Sequence, residues 1–382
     1  MLNNNVGEVY PSLQPPSNLT ANKWAFSATP SCPETMAKQR ISPLNHSNGG
    51  ITMKSNLKKF ALTAVLGLAI TFTLNACEEK KPKASPGGKV NVVATIFPLY
   101  DFSKAAAKEQ ANITMLTPPG SSIHSYEPSP ANIKNIQNSD IFLYIGGEND
   151  VWVERILSTL DTSKMKIVRL FNFVKLYEEE EREGMQAKEE ESDPLQAEER
   201  GKLEVEYDEH IWTSPKNAVV MLNAIRDALC AKDSANCEKY KENAKNYVLQ
   251  IEETSKELSQ TVGSAKRKQI VVADRFPFLY LTKEYGLDYV AAFPGCSDQS
   301  DASVATIAFL IKTVENNKIP YIYYAELSNR NTAEAVAERT GAKMLLLHSY
   351  HNVSKQDFES GTTYLDLLKQ NAANLKIGLL AE

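Results

Sequence analysis

Histidine is scarce in this chain, at five among 382 residues, and cysteine is equally scarce at five. No CxxC pair occurs, which argues against a thiolate metal site. The paired-histidine HExxH helix of zinc proteases is missing as well. There is no basic excess: 42 Lys and Arg stand against 47 Asp and Glu, for a formal charge of −5. That balance argues against nucleic acid as a partner, whose backbone would favour a basic face. No large-scale repeat is visible, which excludes a solenoid. The apolar run at residues 60–74 falls short of the roughly 20 residues that a membrane-spanning helix needs. What remains is an ordinary globular composition, 42% hydrophobic and 23% charged, in a chain long enough for two lobes and accessory segments.

The amino-terminal part carries an export signal. From Met53 the sequence reads MKSNLKKFALTAVLGLAITFTLNAC: lysines, the apolar run, then the small residue Ala76 before Cys77. Basic, apolar, cleavable is the order of a secretory signal. The ending LNAC resembles a bacterial lipobox, which implies cleavage before Cys77 and acylation of that cysteine. An ordinary signal or a short anchor helix is the alternative, and every version exports the chain. Residues 1–52 are polar, rich in Pro and Asn, and without apolar periodicity. They read as an extension ahead of the true initiator, Met53, from a start codon placed too early. Export implies an oxidising compartment. There Cys230 and Cys237 can close a short disulfide across CAKDSANC, with Cys296 left over.

After a tether at residues 78–89, apolar β-rich runs alternate with helical stretches. The first set of strands is expected at residues 90–97, 113–116, 141–145 and 166–170. A second set is expected at 269–273, 289–293, 321–325 and 344–347. Strand–helix alternation predicts parallel sheets with helices on their faces, so two α/β lobes are the simplest parse. Between them, SPKNAVVMLNAIRDAL opens with a Ser-Pro helix entry, and residues 235–265 continue without proline. Thirty helical residues would span about 45 Å, enough for a rigid rod between the lobes. The expected organisation is 1–52 extension, 53–77 signal, 78–89 tether, 90–214 first lobe, 215–265 helical linker and 266–382 second lobe. Within the first lobe, residues 178–209 hold 15 acidic and 4 basic side chains with little apolar content. That composition predicts a solvated, mobile loop.

Ligands of open α/β sheets bind outside the carboxyl ends of the strands, so the residues after each strand carry the functional reading. His124 follows the second strand on a Pro/Gly-rich loop, TPPGSSIHSYEPSP. Asp274 and Arg275 end the fifth strand, Glu326 follows the seventh and His348 the eighth. His210 stands in YDEHIWTSP, just ahead of the Ser-Pro helix entry. A histidine alone at such a place is more often a hydrogen-bonded loop residue than a ligand. Three of them with carboxylates at equivalent positions shift the balance toward a metal. Neutral imidazoles with one carboxylate suit Zn²⁺ best, then Mn²⁺ or Fe²⁺, whereas Ca²⁺ or Mg²⁺ would want oxygens.

At this point a family resemblance enters. The run VNVVATIFPLYDFSKAAAKEQANITMLTPPGSSIHSYEPSPANIKNIQNSDIFLYIGG is similar to the N-lobe of the zinc- and manganese-binding lipoproteins of ABC importers. DEHIWTSPKNAVVMLNAI resembles that family's second histidine block, and FPFLYLTKEYGLDYVAAF its C-lobe. The resemblance covers roughly residues 90–380. It implies a two-lobed receptor with a rigid helix between the lobes and Zn²⁺ or Mn²⁺ in the interlobe cleft. The ion would pass to a membrane permease and its ATPase. His124 and His210 match the two N-lobe ligands. The third family position falls on Arg275, one residue after Asp274, and a guanidinium cannot ligate a cation. The fourth, an acid after the last strand, aligns with His348. The resemblance thus implies His124, His210 and His348 as the ligand set, completed by Asp274 or Glu326, or by water. Arg275 would either pair with one of those acids behind the ligands or, the favoured reading, close the lobes through a salt bridge with no part in metal binding. His351 would be a bystander or a donor behind the ligands. Competing readings are a zinc hydrolase, which would need an open water position, and an adhesin or structural lipoprotein reusing the fold. Absence of turnover is the expectation.

Overall fold

The expected alternation appears as two successive four-stranded sheets in a computed structural model, which describes residues 88–121, 126–185, 206–295, 297 and 301–381. The first sheet comprises β1 (Val90–Ala94), β2 (Ala111–Met115), β3 (Ile141–Tyr144) and β4 (Lys166–Arg169). Helices α1 (Phe97–Ala107), α2 (Pro130–Gln137) and α3 (Val151–Leu157) lie between its strands, and α4 (Pro215–Lys232) and α5 (Cys237–Ser264) follow. The second sheet comprises β5 (Gln269–Phe276), β6 (Asp288–Pro294), β7 (Tyr321–Tyr324) and β8 (Lys343–Leu346). Its helices are α6 (Leu279–Tyr285), α7 (Val304–Asn316), α8 (Asn331–Thr340), α9 (Lys355–Ser360) and α10 (Tyr364–Leu380). Strand order is β2-β1-β3-β4 in one sheet and β6-β5-β7-β8 in the other, and every pairing is parallel. The same winding is used twice, and in each sheet the order reverses beside the strand that enters first. Those reversal points are where such sheets open a crevice.

Parallel strands must bury both faces, and the central strands show it: all of β3 is buried, and β5 is buried apart from its half-buried Gln269 and Arg275. Helix entries follow local chemistry. Ser129 and Thr363 close capping boxes ahead of α2 and α10, and Ser303 caps α7. Gly286 and Gly341 end α6 and α8 at φ of 66° and 75°, a left-handed conformation that glycine adopts without a Cβ penalty.

Helix α5 is the rod between the lobes. At 28 residues it is about 42 Å long, and Tyr240, Ala244, Ile251, Leu258 and Val262 form one buried stripe along it. The first three pack in the core of the first lobe and the last two in that of the second. Two expectations need correcting. Helix α4 is no linker, because Ala218, Met221, Leu222, Ile225 and Leu229 sit in the first core. The second lobe also does not hold everything after residue 266. Tyr350, Val353, Tyr364 and Leu368 pack in the first core, while Leu375 and Leu379 of the same closing helix pack in the second. The chain therefore crosses between the lobes along α5, returns after β8, and crosses again along α10.

The acidic segment also departs from its expected form at the described ends. Arg182 stacks on the Tyr289 ring at 3.6 Å and pairs with Asp288 at 2.7 Å. Glu180 accepts from Arg182 and from the Tyr289 hydroxyl and pairs with Lys283. Met185 packs against the second core. Arg182 and Glu180 settle here because they find opposite charges and the Tyr289 ring or hydroxyl, which composition does not reveal. Cys230 and Cys237 are bridged between α4 and α5. Among the described residues, no helix is long and apolar enough to cross a membrane. Cys77, the signal and the amino-terminal extension lie outside the described residues, as do Cys296 and His124.

Candidate metal centre

A cavity of about 130 Å³ opens between the two lobes at the carboxyl ends of the second sheet's strands. Gly120, Ser121 and His210 line it from the first lobe. Arg275, Pro277, Gly295, Glu326, Leu327, Ser349, His351 and Asn352 are among those lining it from the segments after β5 to β8.

His210 is fully buried at the entry to α4, where Ser214 caps the helix through the Asn217 amide and Pro215 stands at its first turn. The Thr213 amide and hydroxyl both donate to the His210 carbonyl. Asp208 accepts from the His210 backbone N–H at 2.8 Å and from its ring Nδ1 at 3.2 Å. Asp208 itself is held by its N–H to the Tyr177 carbonyl and by the Tyr280 hydroxyl, which donates to the Asp208 carbonyl. A carboxylate on Nδ1–H fixes the ring's tautomer and leaves Nε2 as a lone-pair donor. That Nε2 is buried and makes no hydrogen bond. Burial works against charge on this ring. The Asp208 carboxylate, by its charge and its hydrogen bond, and then Glu209, outweigh burial and hold the pKa above the ordinary histidine value. Gly295 allows this placement, since a Cβ there would lie 3.0 Å from the Phe276 carbonyl and 3.1 Å from His210 Cε1.

The second imidazole in the cavity is His351, not His348. The rings of His210 and His351 stand 5.2 Å apart, edge to face, and both contact Trp212. The turn after β8 explains the exchange. Asn371 accepts from the His348 N–H and donates to the His348 carbonyl, and also donates to the Tyr350 hydroxyl. Tyr350 takes φ of 63°, uncommon for a bulky residue and sustained only by its surroundings. Its N–H donates to His348 Nδ1 at 2.9 Å. That lone pair is thus occupied, and His348 does not line the cavity. Past the left-handed residue the chain delivers His351 to the cleft. Trp212 Nε1 donates to the Ser349 carbonyl, anchoring the turn to the first lobe.

The remaining expected residues take unlike roles. Glu326 lines the cavity, but its oxygens accept from the Ser349 amide at 2.6 Å and from the Ser349 hydroxyl. Asp274 is outside the lining: it accepts from the Arg275 and Ala325 amides, and burial raises its pKa against those bonds and one from Ser328. A bulge between Val272 and Arg275 disturbs strand alternation here and sets Arg275 in the cavity wall. The expected ion pair of Arg275 with Asp274 or Glu326 does not form. Asn352 donates to the Pro118 and Ser121 carbonyls, and the Gly120 N–H donates to the Val353 carbonyl. These bonds fix the last described residue before the segment that contains His124. Among the described residues no group of three or more His, Cys, Asp or Glu side chains forms a metal cluster. His210 and His351 are the pair that this part of the chain contributes. Sequence position alone missed His351, and the only signal for it was its place three residues beyond the strand-end histidine.

Residues 92–378 match the family described as "ZnuA: Zinc-uptake complex component A periplasmic". The chain is 32% identical over 320 residues to the zinc-binding lipoprotein AdcA of Streptococcus pneumoniae, covering 84% of this chain and 61% of that one. It therefore spans about three-fifths of the length of that relative. It is 30% identical to the high-affinity zinc uptake system protein ZnuA of Bacillus subtilis, over 80% of this chain and 94% of that one. The crystal structure of the Zn(II)-bound ZnuA-like domain of S. pneumoniae AdcA superposes with a TM-score of 0.63 at 29% identity, covering 77% of this chain and all of that domain.

Proposed function

This chain belongs to the ZnuA family of periplasmic zinc-uptake complex components, and we propose that it is an extracytoplasmic receptor binding Zn²⁺ between its two lobes. It would deliver the ion to an ABC permease with its ATPase, without turnover. The observation that carries this reading is His210: a buried imidazole with Nδ1 held by Asp208 and an unbonded Nε2 beside His351 in an interlobe cavity. A buried polar nitrogen without a partner is costly, and an oriented imidazole pair suits a borderline-soft cation. His210 and His351 are the proposed donors, joined by His124 from the loop that Asn352 anchors. Mn²⁺ and Fe²⁺ are poorer matches to nitrogen donors. Cys77 is the proposed lipid anchor, in keeping with the lipoprotein relatives. Binding and release, without hydrolysis, is the reading in keeping with a zinc-uptake component.

Titration of the mature protein with Zn²⁺ against a competing chelator tests this. One tight site is expected, abolished in a His124→Ala/His210→Ala double variant; survival of tight binding there would overturn the assignment.

A further inference from the structure

Arg275 is a half-buried cation in the wall of the cavity that holds His210 and His351. Its guanidinium makes no side-chain hydrogen bond and no ion pair among the described residues. Its backbone N–H is taken by Asp274, which it otherwise influences only through space. Among the described residues, Asp274 and Glu326 are committed elsewhere: Asp274 to the Arg275 and Ala325 amides, Glu326 to Ser349. A planar fork of five donors is matched to an oxyanion, and partly desolvated bonds to one are strong. A cavity of about 130 Å³ is more than a bare cation fills.

We infer that the ligand of this site is a divalent metal together with a small oxyanion, bound by Arg275 and completing the coordination that the imidazoles leave open. The inference rests on the metal-receptor reading and extends it: cargo enters as a metal–anion pair, in which a phosphate, carbonate or carboxylate oxygen replaces a side-chain donor. The anion also offsets the charge of placing a dication near a guanidinium, which is otherwise unfavourable in a cleft of low dielectric.

The test measures Zn²⁺ affinity of the mature protein at buffered free Zn²⁺ in nitrate medium, then with bicarbonate, inorganic phosphate or citrate. Wild type is expected to gain about tenfold or more with at least one of these. Bicarbonate or phosphate as the effective arm identifies a free inorganic anion, and citrate alone identifies a chelator's carboxylate. Arg275→Met is expected to bind Zn²⁺ without any anion response, and Arg275→His to bind tightly in nitrate, because an imidazole supplies the missing donor. Wild-type affinity indifferent to all three anions overturns the inference and leaves the receptor reading intact. An anion response undiminished in Arg275→Met also overturns it. No Zn²⁺ bound by wild type in any medium overturns the receptor reading, and this inference with it.

Discussion

Asp208 shows how little of a metal site consists of ligands. Among the described residues its carboxylate accepts hydrogen bonds from His210 alone, through the backbone N–H and Nδ1, yet it decides which ring nitrogen carries the lone pair. Asp208→Asn keeps the shape and removes the charge; we expect Zn²⁺ affinity to fall about 10–100-fold, with the folded state retained in the circular dichroism spectrum. The two histidines of the last turn supply the complementary comparison. His351→Ala is expected to weaken Zn²⁺ binding by at least as much, whereas His348→Ala leaves affinity nearly unchanged and lowers thermal stability, since it removes the acceptor of the Tyr350 amide. Equal losses from both variants would return His348 to the ligand set. His210 was legible because it precedes an evident helix entry. The choice between His348 and His351 was not, because it depends on one left-handed residue, Tyr350, and on Asn371 more than twenty positions downstream. The expected ion pair of Arg275 does not form, because the Arg275 and Ala325 amides occupy Asp274.

At the level of elements, the periodic parts of the fold were the readable ones. Strand–helix alternation identified both sheets and located every strand within a few residues, because a buried parallel strand is a short apolar run whatever surrounds it. Which lobe a helix joins was not readable. Helix α4 has the same kind of apolar stripe whether it bridges lobes or packs in one, and α10 serves both cores along a single face. The α4–α5 corner is where sequence and structure meet most directly, since the Cys230–Cys237 bridge closes a seven-residue separation. Replacing both cysteines with serine is expected to lower unfolding free energy by about 2 kcal/mol by loop-closure entropy, measured by urea denaturation. Zn²⁺ affinity should be unchanged, because neither residue lines the cavity.

For the whole molecule, burial has raised several acids in the same direction. Glu209 is pushed up to about 8, and Asp101 and Asp150 each to about 6, by desolvation. Between its unfolded and folded pKa, each binds a proton in the native state that the unfolded chain has released. Stability of the metal-free protein therefore falls as pH rises through that window. His210, raised by Asp208 despite burial, acts with the same sign: its contribution is full below the ordinary histidine pKa and is lost as pH climbs past the folded value. Metal binding opposes this trend, since an imidazole must be neutral to ligate and loading releases its proton. The melting temperature of the metal-free protein should thus decline between about pH 5 and 8. The increment from saturating Zn²⁺, about 2.7 kcal/mol at a hundredfold excess over Kd, should widen over the same range as Kd tightens. Calorimetric scans with and without Zn²⁺ at fixed ionic strength measure both slopes. A Glu209→Gln variant should flatten the metal-free slope while preserving the widening gap, because Glu209 binds Asn149 and is not a proposed donor. Parallel pH slopes with and without metal would mean that no titrating imidazole takes part in binding.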